Sequence, residues 1–301
     1  MAYEAILFLQ GLSSPLLDVL ALLATTGGSA LAWVFIASIL YWGGKRDESF
    51  LAISVLAVSA AAAGALKALI ASPRPSSEVV RVIAPETGHS FPSGHATIAG
   101  AEMTLFDKLT KHRHLFLFAS TALLVGISRL YLGVHFPEDI FWGLVLGVFI
   151  GTFAVKYLHE LEGRVFGLKL SKKSIATAFL VLALVLAVAG TERVQEKTDL
   201  VVYSGLLAGY YLGIMASNSK HVELTRPEHF YSRNLIGLMV LSGLVVLSVQ
   251  AMSLGRFYGM GLSLLAGLWI TFIYPWVLER LNGKVVKGTR LRRTAKPLRM
   301  F

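Results

Sequence analysis

Cysteine is absent from the 301 residues, and charged side chains make up only 15% of them. The first absence removes disulfide scaffolds and thiol catalysis. The second says more, because a soluble domain averages about 25% charged residues. Acidic residues are the scarcer sign, 18 against 28 Lys and Arg. What fills the chain is apolar: 55% of residues are hydrophobic and the mean hydropathy is +0.65. Such a chain cannot cover a water-facing surface, which excludes a cytosolic enzyme and a disordered tail-type protein. A formal charge of +10 on its own suggests nucleic acid. Binding nucleic acid needs an exposed basic surface, and this composition leaves no room for one. The remaining class is an all-α, polytopic integral membrane protein, in which basic residues report orientation.

A membrane-crossing helix needs about 20 mostly apolar residues. Nine stretches fit, at about 29–43, 50–71, 94–109, 115–132, 138–158, 174–190, 199–217, 234–253 and 257–279. The expected fold is a helical bundle of about nine transmembrane helices. Residues 1–28 are apolar but broken by Ser13-Ser14-Pro15 and Asp18. They read as interfacial N-terminal helices, with a tenth span as the alternative. The expected division is 1–28 interfacial, 29–158 a first helical core, 159–280 an additional four-helix module and 281–301 a basic tail.

Under this span order, 21 of the 28 Lys and Arg fall on one face. They cluster at Lys45 and Arg46, in the turn from Lys108 to Arg113, in the loops 156–173 and 216–233, and in the tail. The positive-inside rule makes that face cytoplasmic, with the C-terminus inside and the N-terminus outside. Seven stand opposite: Lys67, Arg74, Arg81, Arg129, Arg193, Lys197 and Arg256. Any one of them can snorkel to the headgroups, but ionisable residues at span ends default to a functional reading.

Three short motifs fall on that non-cytoplasmic face. Lys67-x6-Arg74-Pro75 runs out of the second span. Pro92-Ser93-Gly94-His95 opens the third. Ser128-Arg129-x5-His135-x3-Asp139 bridges the fourth and fifth. Singly each is weak, since Ser93 can be only a helix cap and Asp139 only a first-turn anion. Together they set eleven positions in order on one membrane side.

The set resembles the type-2 phosphatidic acid phosphatase superfamily, over about 29–158, and all eleven motif positions match. The resemblance implies a phosphohistidine enzyme with neither metal nor other cofactor. It makes His135 the nucleophile, Asp139 its orienting partner and His95 the general acid. Lys67, Arg74, Ser93, the Gly94 backbone amide and Arg129 would hold the phosphoryl oxygens, and Ser128 would be structural.

The chemistry suits those residue types. Phosphoryl transfer needs charge neutralised on the equatorial oxygens, an in-line nucleophile and a proton donor. Cations, a hydroxyl and an amide at a helix start make an anion cradle. Arginine favours bidentate contact with phosphate, and a glycine lets backbone approach the oxygens. Two histidines can divide attack from proton donation near neutral pH, and a carboxylate beside the attacking ring sets its tautomer.

The expected activity is hydrolysis of a lipid phosphate or isoprenyl diphosphate by a metal-independent phosphoric monoester or diphosphate hydrolase in the cell membrane. Two alternatives stand beside it: a phosphatase for a soluble ester such as a sugar phosphate, and a non-catalytic phospholipid carrier. Pure binding has no use for a nucleophile with an orienting carboxylate. Gly143, Gly147 and Gly151 form a small-residue stripe that reads as close helix packing. The second half carries no catalytic set. Its open roles are a lipid-entry groove, a homo-oligomer surface or translocation. Nucleic acid is not expected as a partner; the bilayer and a lipid phosphate substrate are.

Overall fold

The computed structural model describes residues 3–158, 198–218 and 230–282. The expected span at 174–190, the loops at 159–173 and 219–229, and the basic tail lie outside the described residues. Within them all regular structure is helical and no strand occurs. In chain order the helices are α1 (Glu4–Gly11), α2 (Pro15–Thr26), α3 (Ala30–Trp42), α4 (Arg46–Ile70), α5 (Gly94–Leu109) and α6 (Leu115–Tyr131). They are followed by α7 (Pro137–Leu158), α8 (Thr198–Asn218), α9 (Phe230–Ala251), α10 (Arg256–Leu268) and α11 (Tyr274–Asn282). A π-helical turn, Trp269–Ile273, joins the last two.

The boundaries follow local chemistry. The Ser14 hydroxyl accepts from Leu17 N at 3.2 Å, and Pro15 takes the first helical position, where its missing N–H costs nothing. Ser29 caps α3 in the same way. Helix α4 stops at Ala71, which adopts φ +51°, and Pro73 lies two residues beyond.

Helix α5 is the centre of the first half. Every residue from Ala96 to Glu102 is buried, as are Leu105 and Asp107. Helices α4, α6 and α7 surround it. The tightest approach is to α7, along the glycine stripe. A methyl at Gly143 would stand 2.8 Å from the Ser93 carbonyl, and methyls at Gly147 and Gly151 would collide with backbone at Thr97 and Ala101. Gly100 answers from the other side, against Leu144. A second stripe, Gly205, Gly209 and Gly213, does the same for α8 against Met260, Leu264 and Thr271.

The two halves share one core. Residues of α3 and α4 pack with residues of α8 to α11 in a single buried cluster. Ser49 and Ser54 meet the hydroxyls of Tyr210 and Tyr211 at 2.8 and 3.0 Å. Tyr41 and Trp42 donate to the carbonyls of Thr271 and Ile270. Buried polar groups are paired in this way because an unpaired one costs about 1–3 kcal/mol.

Among the described residues, four segments are long and apolar enough to cross a bilayer: Arg46–Ile70, Pro137–Lys156, Arg233–Ala251 and Arg256–Arg280. They become five if α2 and α3, bent by 53° at their junction, count as one broken span. Among the described residues that is fewer than the nine expected, one of which, at 174–190, lies outside them. Helices α6 and α8 are apolar but short. Helix α5 has 16 residues and carries His95, Glu102, Asp107 and Lys108. Enclosed by its neighbours, it needs no lipid-facing apolar surface.

Candidate active site

Helices α4 and α6 run toward one end of the bundle, and α5 and α7 start from it. That end brings together the close of α4, the loop 72–93, the first turn of α5, the close of α6 and the first turn of α7. All eight residues singled out from the motifs lie there.

His135 is built in from one side. Its side chain is 1% exposed. Nδ1 stands 3.4 Å from Asp139 Oδ2 and 3.3 Å from Ser90 Oγ. Ser90 in turn donates to Asp139 Oδ2 at 2.5 Å, and the Phe136 amide donates to the same oxygen at 2.8 Å. Two donors, Ser90 and the Phe136 amide, therefore hold the carboxylate beside Nδ1, and Nε2 points to the opposite side. Nε2 lies 3.3 Å from the Arg74 guanidinium and 3.6 Å from Glu86 Oε2. Gly133 makes the approach to His135 feasible. It adopts φ +73°, and a Cβ there would stand 2.5 Å from the Arg81 carbonyl.

Two of the cations are held by backbone and the third by side chains. Arg74 donates to the carbonyls of Gly88, Thr87 and Val134 at 2.9–3.1 Å. Lys67 donates to the carbonyls of His89 and Ser90 at 2.6 and 3.0 Å. Arg129, 2% exposed, donates to Thr25 Oγ1 at 2.8 Å and pairs with Glu86. Burial draws Arg74 below its ordinary pKa, against the pull of Glu86 and Asp139.

Ser93 caps α5, accepting from Ala96 N at 3.4 Å, and its own amide donates to the Asp139 carbonyl at 2.9 Å. That bond fastens the start of α5 to the start of α7. A Cβ on Gly94 would meet nothing within 4 Å, so the helix start faces open space where an anion fits. His95 Nδ1 stands 3.6 Å from Glu86 Oε1. Among the described residues no three His, Asp or Glu side chains form a metal-holding group.

Comparison with known proteins shows the family. Residues 49–162 match the PAP2 superfamily. Lipid A 1-phosphatase of Rhizobium johnstonii is 40% identical over 68 residues, 21% of this chain and 28% of that protein. Decaprenylphosphoryl-5-phosphoribose phosphatase of Mycobacterium tuberculosis is 30% identical over 148 residues, 46% of this chain and 82% of that protein. The chain belongs to the PAP2 superfamily. A crystal structure of Aquifex aeolicus LpxE is also similar, at 29% identity and a TM-score of 0.46, covering 52% of this chain and 95% of that one. With the first of these relatives the shared stretch is less than a third of that protein's length.

This PAP2 site also contains residues that the motifs did not mark. Glu86 touches both arginines and both histidines. Its carboxyl lies well below the usual range: burial pushes it up, but the His135 hydrogen bond and the Arg129 charge outweigh that. Ser90 orients Asp139, and Thr25 reaches Arg129 from α2. The only signal for Glu86 was arithmetic, since the cradle brings three cations together and the loop 72–92 holds two carboxylates, Glu78 and Glu86.

The N-terminal helices are docked on this loop. Asp18 accepts two hydrogen bonds from Arg81, at 2.7 and 3.0 Å, and one from Tyr131 at 2.6 Å. Gln10 brackets Arg81 and accepts from its amide. Tyr131, at the end of α6, is thus a tie to α2.

Proposed function

We propose that this PAP2 protein is a membrane phosphatase that hydrolyses a lipid phosphate or isoprenyl diphosphate through a phosphohistidine on His135, without a metal. The observation that carries the reading is the two-sided setting of that imidazole. Nδ1 is held by Asp139 and Ser90, while Nε2 faces the Arg74 guanidinium and Glu86.

His135 Nε2 attacks phosphorus in line, and the bond from phosphorus to the leaving oxygen breaks. His95 gives that oxygen its proton. Arg74, Arg129, Lys67, the Ser93 hydroxyl and the Gly94 amide take the charge on the equatorial oxygens. Asp139 stabilises the ring as it becomes cationic. Water then attacks the phosphoimidazole, His95 takes up its proton, the N–P bond breaks and inorganic phosphate leaves.

A lipid substrate suits a site at helix ends, because its chain can stay in the bilayer while its phosphate meets the cradle. The two relatives named above are called phosphatases of lipid A and of a decaprenylphosphoryl phosphoribose. In this reading about nine helices cross the membrane. Residues 29–158 form the catalytic core, flanked by 1–28 at the interface, the module 159–280 and the tail 281–301. The site faces the non-cytoplasmic side and the C-terminus the cytoplasm. Supporting this, Lys45, Arg46, Lys108, Lys111 and Arg113 lie at the opposite ends of α4, α5 and α6 from the site.

Phosphate release from isoprenyl diphosphate, phosphatidate, sphingoid phosphate and glucose 6-phosphate in mixed micelles tests the reading. Turnover of lipids but not of glucose 6-phosphate is expected. Turnover of glucose 6-phosphate alone would transfer the activity to soluble esters, and none with any substrate would leave a carrier.

A further inference from the structure

The groups that the mechanism assigns to phosphate converge on one carboxylate. Glu86 pairs with Arg129, lies 3.2 Å from Arg74, and stands 3.6 Å from both His135 Nε2 and His95 Nδ1. A phosphoryl group attacked by His135, with its leaving oxygen protonated by His95, has to lie between the same two rings. The carboxylate therefore occupies the place of phosphate oxygens.

We propose that Glu86 is a built-in counter-anion that fills the phosphoryl cradle of the empty enzyme, is displaced by a phosphomonoester or diphosphate, and keeps phosphodiester headgroups out. The proposal rests on the phosphatase reading of this site. Its physical basis is charge. Arg129 is 2% exposed and its Nε has no partner, so an empty cradle would leave buried cations uncompensated, which is strongly unfavourable. Bulk phospholipid headgroups, each a singly charged diester, surround the site at high local concentration. Against a carboxylate of equal charge already in place, a diester gains nothing by entering. A dianionic monoester or a diphosphate brings more charge and more acceptor oxygens to the same donors, and these charge-assisted bonds favour exchange.

Displacement also has a route. The Glu86 side chain keeps 27% of its surface in contact with solvent, and Gly88, two residues on, adopts φ +73° with open space around it. The carboxylate can turn outward into water while the loop stays attached through Arg74 and Lys67.

The test compares wild type, Glu86→Gln and Glu86→Asp in mixed micelles with phosphatidate as substrate. Orthovanadate and phosphatidylglycerol serve as competitors. Removing a displaceable occupant tightens binding of what replaces it. The vanadate inhibition constant should therefore fall about tenfold in Glu86→Gln, and phosphatidylglycerol should become an inhibitor. Glu86→Asp, with its carboxylate drawn back by one methylene, should fall between; it decides the matter if Glu86→Gln does not fold. A counter-ion that only supports the arginines has the opposite sign, so vanadate binding that is unchanged or weaker in the variants overturns the proposal. If wild type releases no phosphate and ignores vanadate, the phosphatase reading itself fails and the proposal falls with it.

Discussion

Ser90 donates a 2.5 Å hydrogen bond to Asp139, across 49 residues of sequence and in a fully buried setting. The bond holds the carboxylate in place beside His135 Nδ1. Ser90→Ala should lower kcat about tenfold with KM little changed, the value of one buried hydrogen bond to a charged group. Asp139→Asn should cost far more, about 10³–10⁴ in kcat, because it removes the charge that balances the imidazolium. Steady-state kinetics on both variants check the order. Equal, small losses would remove Asp139 from its role.

The α5–α7 contact predicts an effect at a distance. Gly147 lies against the α5 backbone at Thr97, where no side chain fits. Gly147→Val should push the helices apart, strain the bond from Ser93 N to the Asp139 carbonyl, and lower both thermal stability and kcat. Overpacking of this kind costs about 1–3 kcal/mol. Gly243, whose Cβ would meet nothing, should accept alanine with neither effect. Thermal unfolding in detergent separates the two.

Helix α2 enters the site through one hydroxyl. Thr25→Val deletes the acceptor of a 2.8 Å bond from buried Arg129. Losing it should raise KM for the lipid substrate about tenfold and change kcat less, since the arginine keeps Glu86 but loses its aim. A change confined to kcat would contradict this placement.

Glu86 carries a pH signature. Its carboxyl is held below the ordinary glutamate value of 4.5 by His135 and Arg129 despite burial. A depressed carboxylate contributes stability that is fully present above its unfolded-state pKa and is lost only as pH falls through the lower, folded value. The difference in unfolding midpoint between wild type and Glu86→Gln should therefore stay constant from about pH 7 to pH 5 and shrink only in stronger acid. A difference already fading near pH 6 would contradict the ion pairing.

The three motifs were legible because each sits at a helix end, where cap chemistry and hydropathy change together. Ser93 as cap, Asp139 in a first turn and the glycine stripe of α7 all read directly from spacing. Glu86 and Ser90 did not, since they lie in a loop without periodicity and gain meaning from partners as far as 49 residues away. Helix α5 was found at its observed bounds, 94–109, but apolar content alone did not show that its neighbours enclose it. The second glycine stripe, at Gly205, Gly209 and Gly213, has the same spacing as the first, but no motif beside it drew attention there.

The most direct measurement is to quench the enzyme during turnover of a ³²P-labelled lipid phosphate and map the labelled peptide. The account predicts an acid-labile, base-stable phosphoenzyme on the peptide containing His135, present in wild type and in EDTA-treated enzyme and absent in His135→Ala. Label on another residue, or undiminished phosphate release by His135→Ala, would contradict it.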